Sequence, residues 1–468
     1  MINILIILFS MKKISYIIII LTVFILLIKE SDLKAQLPNH NTYLLAQINN
    51  YPGYSGLWGY VAPDSSEYAL LGCFNGTSFV NITDSSDIHE VDFIPGVNSG
   101  WREIKTYSHY AYVVSEGTNS KLQIIDLQYL PDSVSLITSW NYSGFTQAHN
   151  ISRSGPYLYI SGGNACPNGG VQIIDITDPE NPVRRGNNTA RYVHDCRVSN
   201  DTIWGTNINN QKISIMNGVN MDNVTEIRNF NTLQSMPHNL TFSPDKKYIY
   251  VTYENEAPGM LDIWNVEDLE NITYVRSWQP SGIETAITHN VEVFGNYAIV
   301  AHYTAGIRIL DLTNPSNPLE VAWYDTRPQD NSTNFLGCWA VYKFPSGKII
   351  GSDITNGLFV IKTTIPTLSE NFNSIVPEKF ILHQNYPNPF NPVTNLGFEI
   401  PESGFVSLKV FDMLGKETAD LLNEKLSPGK YTVTFNGSEL ASGVYFYKLK
   451  YTGQGSINEK VKKMLIIR

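Results

Sequence analysis

Four histidines recur in one setting that could do chemistry. They stand in the phrases His149-Asn150-Ile151, His194-Asp195-Cys196, His238-Asn239-Leu240 and His289-Asn290-Val291. Neutral imidazoles are good ligands for iron, zinc or copper, and a neighbouring Asn or Asp could orient the ring from behind. The same spacing has a second reading. Each His could hydrogen-bond the backbone of a neighbouring repeat, with Asn or Asp satisfying a turn. In three further units the slot holds Trp58, Arg102 and Trp339. That substitution fits a position open to any large side chain with a polar tip.

The slot has meaning only through the elements that carry it. It precedes, by 22 to 27 residues, a phrase of alternating apolar residues closed by Asp or Asn. That phrase is clearest at Leu122-Gln123-Ile124-Ile125-Asp126, Val171-Gln172-Ile173-Ile174-Asp175, Leu261-Asp262-Ile263-Trp264-Asn265 and Ile307-Arg308-Ile309-Leu310-Asp311. Weaker copies end at Asn81 and Asn217, and Lys362 closes the last without an acidic or amide marker. The markers at 81, 126, 175, 217, 265, 311 and 362 are 42 to 51 residues apart. An apolar period of two excludes helical repeats, and this unit length is that of a four-stranded propeller blade. Turns such as Asp178-Pro179-Glu180-Asn181-Pro182 and Asn314-Pro315-Ser316-Asn317-Pro318 separate third from fourth strands, because proline cannot donate to a ladder. Asp126, Asp175 and Asp311 are expected to cap those turns. Calcium there would need a denser acidic loop.

The expected fold is therefore all-β, a seven-bladed β-propeller over residues 40–364. The seventh unit lacks a fourth strand, and Thr42–Ile48 is expected to supply it, which would close the ring and remove two exposed edges. The first strand of a blade is innermost. Trp58, Arg102, His149, His194, His238, His289 and Trp339 are thus expected to ring one mouth of the channel as ligand-binding residues. The four histidines are the metal candidates among them. Closure would set Cys73 beside Cys338, and Cys166 and Cys196 lie in adjacent blades. The pairs 73–338 and 166–196 are the preferred disulfides among the three pairings that four cysteines allow.

Composition agrees. Tyr (27) and Phe (20) favour strands, and Gly (33) and Pro (24) favour turns. A formal net charge of -10 argues against a nucleic-acid partner. Lys12 and Lys13 precede the apolar run Ile14 to Ile28, followed by Leu33-Lys34-Ala35-Gln36. This is the order of a secretory signal peptide over residues 1–35, cleaved after Ala35, with a retained membrane anchor as the alternative reading of the run and Met11 as an alternative start. Such export makes disulfides feasible. The sequence has no Gly-x-Ser-x-Gly, no phosphate-binding Gly-Lys-Ser/Thr loop and no His-Glu-x-x-His, so catalysis has no motif behind it.

Texture changes after Ile365. A polar linker over 365–382 leads to Asn385-Tyr386-Pro387-Asn388-Pro389-Phe390-Asn391-Pro392, then Val406-Ser407-Leu408-Lys409-Val410-Phe411-Asp412-Met413-Leu414-Gly415-Lys416, Gly429-Lys430-Tyr431, Ser442-Gly443-Val444-Tyr445-Phe446-Tyr447 and Lys462-Lys463-Met464. Alternating strands with glycine turns predict a small antiparallel β-sandwich over residues 383–468. These blocks resemble the type A C-terminal sorting domain of the type IX secretion system of Bacteroidota. The resemblance implies a partner in that secretion machinery and a mature protein that is secreted or held on the outer-membrane surface. Residues 40–364 resemble the LVIVD-repeat propellers, in particular the choice-of-anchor B family, through the Ile-Ile-Asp-Ile strands, the Asp-Pro-x-Asn-Pro turns and the His-Asn/Asp pairs. That family brings no substrate. The expectation is a monomeric binding module for a glycan or surface protein, with no catalytic residues. The alternative is a metal-dependent enzyme using His149, His194, His238 and His289.

Overall fold

The computed structural model describes residues 38–467 apart from 200, 255–258, 331, 366–378, 386, 402–403, 427–428, 439 and 454–455. The signal peptide and most of the linker expected from sequence lie outside the described residues. Among those described, the chain is all-β, with two single-turn 3-10 segments and no α-helix.

Residues 39–363 form seven antiparallel sheets. Six contain four consecutive strands, the first running Tyr54–Val61, Glu67–Cys73, Gly76–Asn81 and His89–Pro95. The seventh takes Cys338–Lys343, Lys348–Asp353 and Gly357–Thr363 from one end of the region and Thr42–Ile48 from the other. A short extra strand, Asn39–His40, pairs with Leu319–Tyr324 of the sixth sheet. The first strands of the sheets touch one another in cyclic order, from Tyr54–Val61 round to Cys338–Lys343 and back.

The repeat phrase explains this local structure. Third strands such as Val171–Asp175 are buried on both faces, because each sheet packs between two others. Seven apolar clusters fill the spaces between consecutive sheets. Between the third and fourth sheets, for example, Tyr159, Val171 and Ile173 meet Val193, Ile203 and Met216. Burying each such side chain contributes roughly 1.5–3 kcal/mol. The markers then end the strand. Asn81, Asp126, Asp175, Asn217, Asn265 and Asp311 each accept a hydrogen bond through Oδ1 from the backbone N–H two residues on, at 2.8–3.0 Å. This is the turn that short polar side chains favour over continued pairing.

One device was not visible in the sequence. Every one of the seven sheets has a register shift between its third and fourth strands. An extra residue there increases local twist and bends the outer strand. The seam between the first and seventh sheets also carries a buried ion pair, Glu67 with Lys348 at 3.4 Å, supported by Ser346.

The C-terminal residues form a three-stranded sheet (Ile381–Leu382, Val393–Ile400, Gly429–Asn436) and a four-stranded one (Glu417–Leu426, Gly404–Phe411, Gly443–Gly453, Ser456–Ile466). Leu396 and Phe398 of the first share one core with Val406, Tyr447 and Met464 of the second.

Candidate functional site

The four histidines sit just before or within the first strands of the third to sixth sheets. Those strands touch side by side, so the rings come together. Ring centroids are 3.9 Å apart for His149 and His194, 4.3 Å for His194 and His238, and 4.2 Å for His238 and His289. Trp339 continues the file, 4.4 Å from His289. All five are buried. The file is not a single four-membered cage. Among the described residues, donor atoms gather as two sets that share His238: His149 with His194 and His238, and His238 with Glu254 and His289.

One nitrogen of several rings is fixed by structure. His238 Nδ1 donates to the carbonyl of His289 at 3.0 Å, and His289 Nδ1 donates to the carbonyl of Trp339 at 2.5 Å. Each bond crosses to the next sheet, as the second sequence reading anticipated. His149 Nδ1 faces Glu116 Oε1 at 2.7 Å. A ring that donates from Nδ1 carries its lone pair on Nε2. His238 Nε2 lies 3.7 Å from Glu254 Oε2 and His289 Nε2 lies 3.9 Å from Glu254 Oε1. Tyr303 donates its hydroxyl to Glu254 Oε1 at 2.5 Å.

Electrostatics differ along the file. Burial opposes a charge on His149, but the carboxylates of Glu116, Asp195 and Glu103 together outweigh it and raise its proton affinity. Burial and the neighbouring imidazoles push His194 down to about 3. Burial pushes His289 well below the usual imidazole range. Burial also opposes a charge on Asp195, yet His194 at 3.2 Å holds its carboxyl low.

The Asn and Asp partners of the histidines form a network between sheets rather than capping turns. Asp195 accepts from Asn150 Nδ2 and Asn239 Nδ2, both at 2.7 Å. Farther along the first strands a cavity of about 20 Å³, room for roughly one water, is lined by Trp58, Glu103, Lys105, Asn150, Arg197 and Glu292. Arg197 pairs with Glu292, and burial pushes the Lys105 ammonium down to about 8.

Two ring positions read from sequence fall elsewhere. Arg102 is buried with its guanidinium turned onto the carbonyls of Cys73 (3.2 Å) and Val97 (2.7 Å). In its strand the residues lining the cavity are Glu103 and Lys105, one and three places on. Trp58 lines the cavity instead of the histidine file, against Tyr342 and under the Lys105 ammonium. The sequence reading missed Glu116, Glu254 and Tyr303. Both glutamates follow a second strand, in Val113-Val114-Ser115-Glu116 and Val251-Thr252-Tyr253-Glu254. Aligning the repeats on their second strands would have exposed them.

The disulfide expectation is overturned. Cys73, Cys166, Cys196 and Cys338 are all free and buried. Cys73 and Cys338 belong to different apolar clusters. Cys166 Sγ faces the Asn188 carbonyl, whereas Cys196 Sγ faces Ser152 and Tyr159. Adjacent sheets do not bring the sulfurs together: Cys73 ends a second strand and Cys338 opens a first, while Cys166 lies in the loop before a third strand and Cys196 opens a first.

Around the file, aromatic rings reach solvent. Trp101 lies 6.2 Å from Trp339 and is 45% exposed; Phe335 lies 5.6 Å from Tyr303 and is 46% exposed. Tyr192 stands 6.4 Å from His194.

Residues 384–467 match the secretion system C-terminal sorting domain. Residues 146–189 and 287–326 match the LVIVD repeat, which corresponds to the third and sixth sheets. The chain is thus an all-β, propeller-like repeat protein with a type IX sorting tail, and the tail implies export to the cell surface or the medium. No curated protein matches the chain. Among solved structures it is similar to a functionally unknown protein from Desulfotomaculum acetoxidans DSM 771, at 13% identity and a TM-score of 0.48, covering 77% of this chain and 96% of that one. It is also similar to the Pseudomonas aeruginosa periplasmic gluconolactonase PpgL, at 13% identity and a TM-score of 0.45, covering 59% and 86%. Likenesses of this strength carry no information on activity.

Proposed function

We propose that this chain is an exported seven-bladed β-propeller of the choice-of-anchor B kind that binds a surface glycan at the histidine-lined mouth of its ring. Residues 1–35 direct it to the periplasm, and a β-sandwich over residues 383–468 hands it to the type IX machinery. The observation that carries the binding reading is the pair of half-exposed rings, Trp101 and Phe335, flanking buried Trp339 and Tyr303. Large exposed aromatic surface beside polar groups marks a ligand site more often than a bare surface does. The buried aromatic partners hold these rings in place, so binding loses little side-chain entropy.

The test is retention of the full chain on immobilised bacterial and host polysaccharides. The double variant Trp101→Ala, Phe335→Ala is expected to bind at least about tenfold more weakly. Unchanged retention by the double variant, or retention by no polysaccharide alongside capture of a surface protein, overturns the glycan reading.

A further inference from the structure

We infer that His238, His289 and Glu254 form a binding site for one divalent transition-metal ion, with zinc as the reference ion, at the mouth of the ring of first strands. Two imidazoles and one carboxylate are a recurrent donor set for zinc and for non-haem iron. The structure supplies three independent supports for it.

The first is ligand orientation. Both Nδ1 atoms donate to backbone carbonyls of the next sheet, at 3.0 and 2.5 Å, which leaves both lone pairs on Nε2. A metal-bound histidine characteristically has its other nitrogen held in this way. The second is an unmet donor. His289 is 1% exposed, and its Nε2 is buried without a hydrogen-bond partner. A buried acceptor left unsatisfied is costly, and a metal ion would satisfy it. The third is the placement of the carboxylate. Glu254 offers one oxygen to each ring, at 3.7 and 3.9 Å. Two donors on one tetrahedral zinc stand about 3.4 Å apart when each is about 2.1 Å from the ion. The two carboxylate–imidazole distances stand within about half an ångström of that spacing, and all three donor atoms lie within 4.8 Å of one another.

Tyr303 completes the support. Its hydroxyl donates to Glu254 at 2.5 Å, which orients the carboxylate. Its backbone is held at φ 21, an unusual conformation for a residue other than glycine. The other donor set, His149 with His194 and His238, contains no carboxylate donor: Glu116 lies against Nδ1 of His149 and Asp195 against Nδ1 of His194, both outside the set.

An ion held by three protein donors keeps a position open for a ligand oxygen. The site thus deepens the reading of the mouth as a binding centre and rests on it. The metal is measured alone, so its absence would leave the polysaccharide assay standing. Full-length chain, freed of metal by chelation, is titrated with Zn²⁺ by calorimetry and with Co²⁺ by visible absorption. One equivalent of each is expected, with cobalt bands of a four- or five-coordinate site. Glu254→Gln should weaken zinc at least tenfold and His289→Ala should abolish binding. Tyr303→Phe should weaken zinc roughly tenfold, as removal of an orienting partner does. Glu116→Gln should leave affinity unchanged. Circular dichroism of each variant separates lost binding from lost folding. Absence of binding by folded wild-type chain overturns the site. So does full affinity in folded Glu254→Gln, or loss confined to Glu116→Gln.

Discussion

At the scale of single residues, burial decides behaviour that residue type leaves open. The four cysteines illustrate this. Burial pushes the thiols of Cys73 and Cys196 up to about 12 and that of Cys166 to about 11, and raises that of Cys338 well above the usual thiol range. The thiolate is the reactive form, so these groups should be inert in the folded protein. A thiol-specific chromogenic reagent is expected to find no reactive thiol in native chain and four after denaturation. Two or fewer after denaturation would restore a disulfide. The histidines show the same principle in reverse. Their recurrence could be read from the chain, but which nitrogen is free depends on carbonyls of another sheet. Glu254 and Glu116 share a place after a second strand, but the partners of these two and of Tyr303 were illegible for a related reason. Each is one side chain in a loop after a strand, and only the meeting of neighbouring sheets gives it a partner.

At the scale of elements, the chain speaks most clearly. Alternating apolar runs became third strands, and the Asp or Asn that closes six of them accepts the expected turn hydrogen bond. The closing strand Thr42–Ile48 was legible as well, because a unit without a fourth strand must find one. Leu45 and Ile48 of that strand pack against the cluster between the seventh and first sheets. Replacing both by aspartate should cost about 3 kcal/mol or more, since apolar contact is lost and charge is placed against a core. It should also expose the edge of Gly357–Thr363 and promote association. Urea unfolding and size-exclusion chromatography check this; an unchanged midpoint with monomeric chain would mean the strand does not hold the ring shut. The register shift in all seven sheets was not legible, because an extra residue in a fourth strand looks like ordinary turn variation.

At the scale of the whole molecule, two parts divide the work. The region of seven sheets presents buried histidines and exposed aromatic rings at one end, and the tail matches a sorting domain. Deleting residues 384–467 is expected to leave the repeat region folded and trapped in the periplasm. Cell fractionation in a type IX-competent host reads this directly. Equal amounts of the truncated and full chains outside the cell would remove the tail from the export route.

The chain by itself determined that this protein is a β-repeat of seven units with a sorting tail, and where its histidines recur. Those properties follow from periodicity and turn chemistry, which act over a few residues. Tertiary structure alone decided that Arg102 turns away, that the cysteines stay apart and that a glutamate joins two of the histidines. Such outcomes depend on side-chain direction across neighbouring sheets, where a shift of one residue reverses the face a side chain occupies.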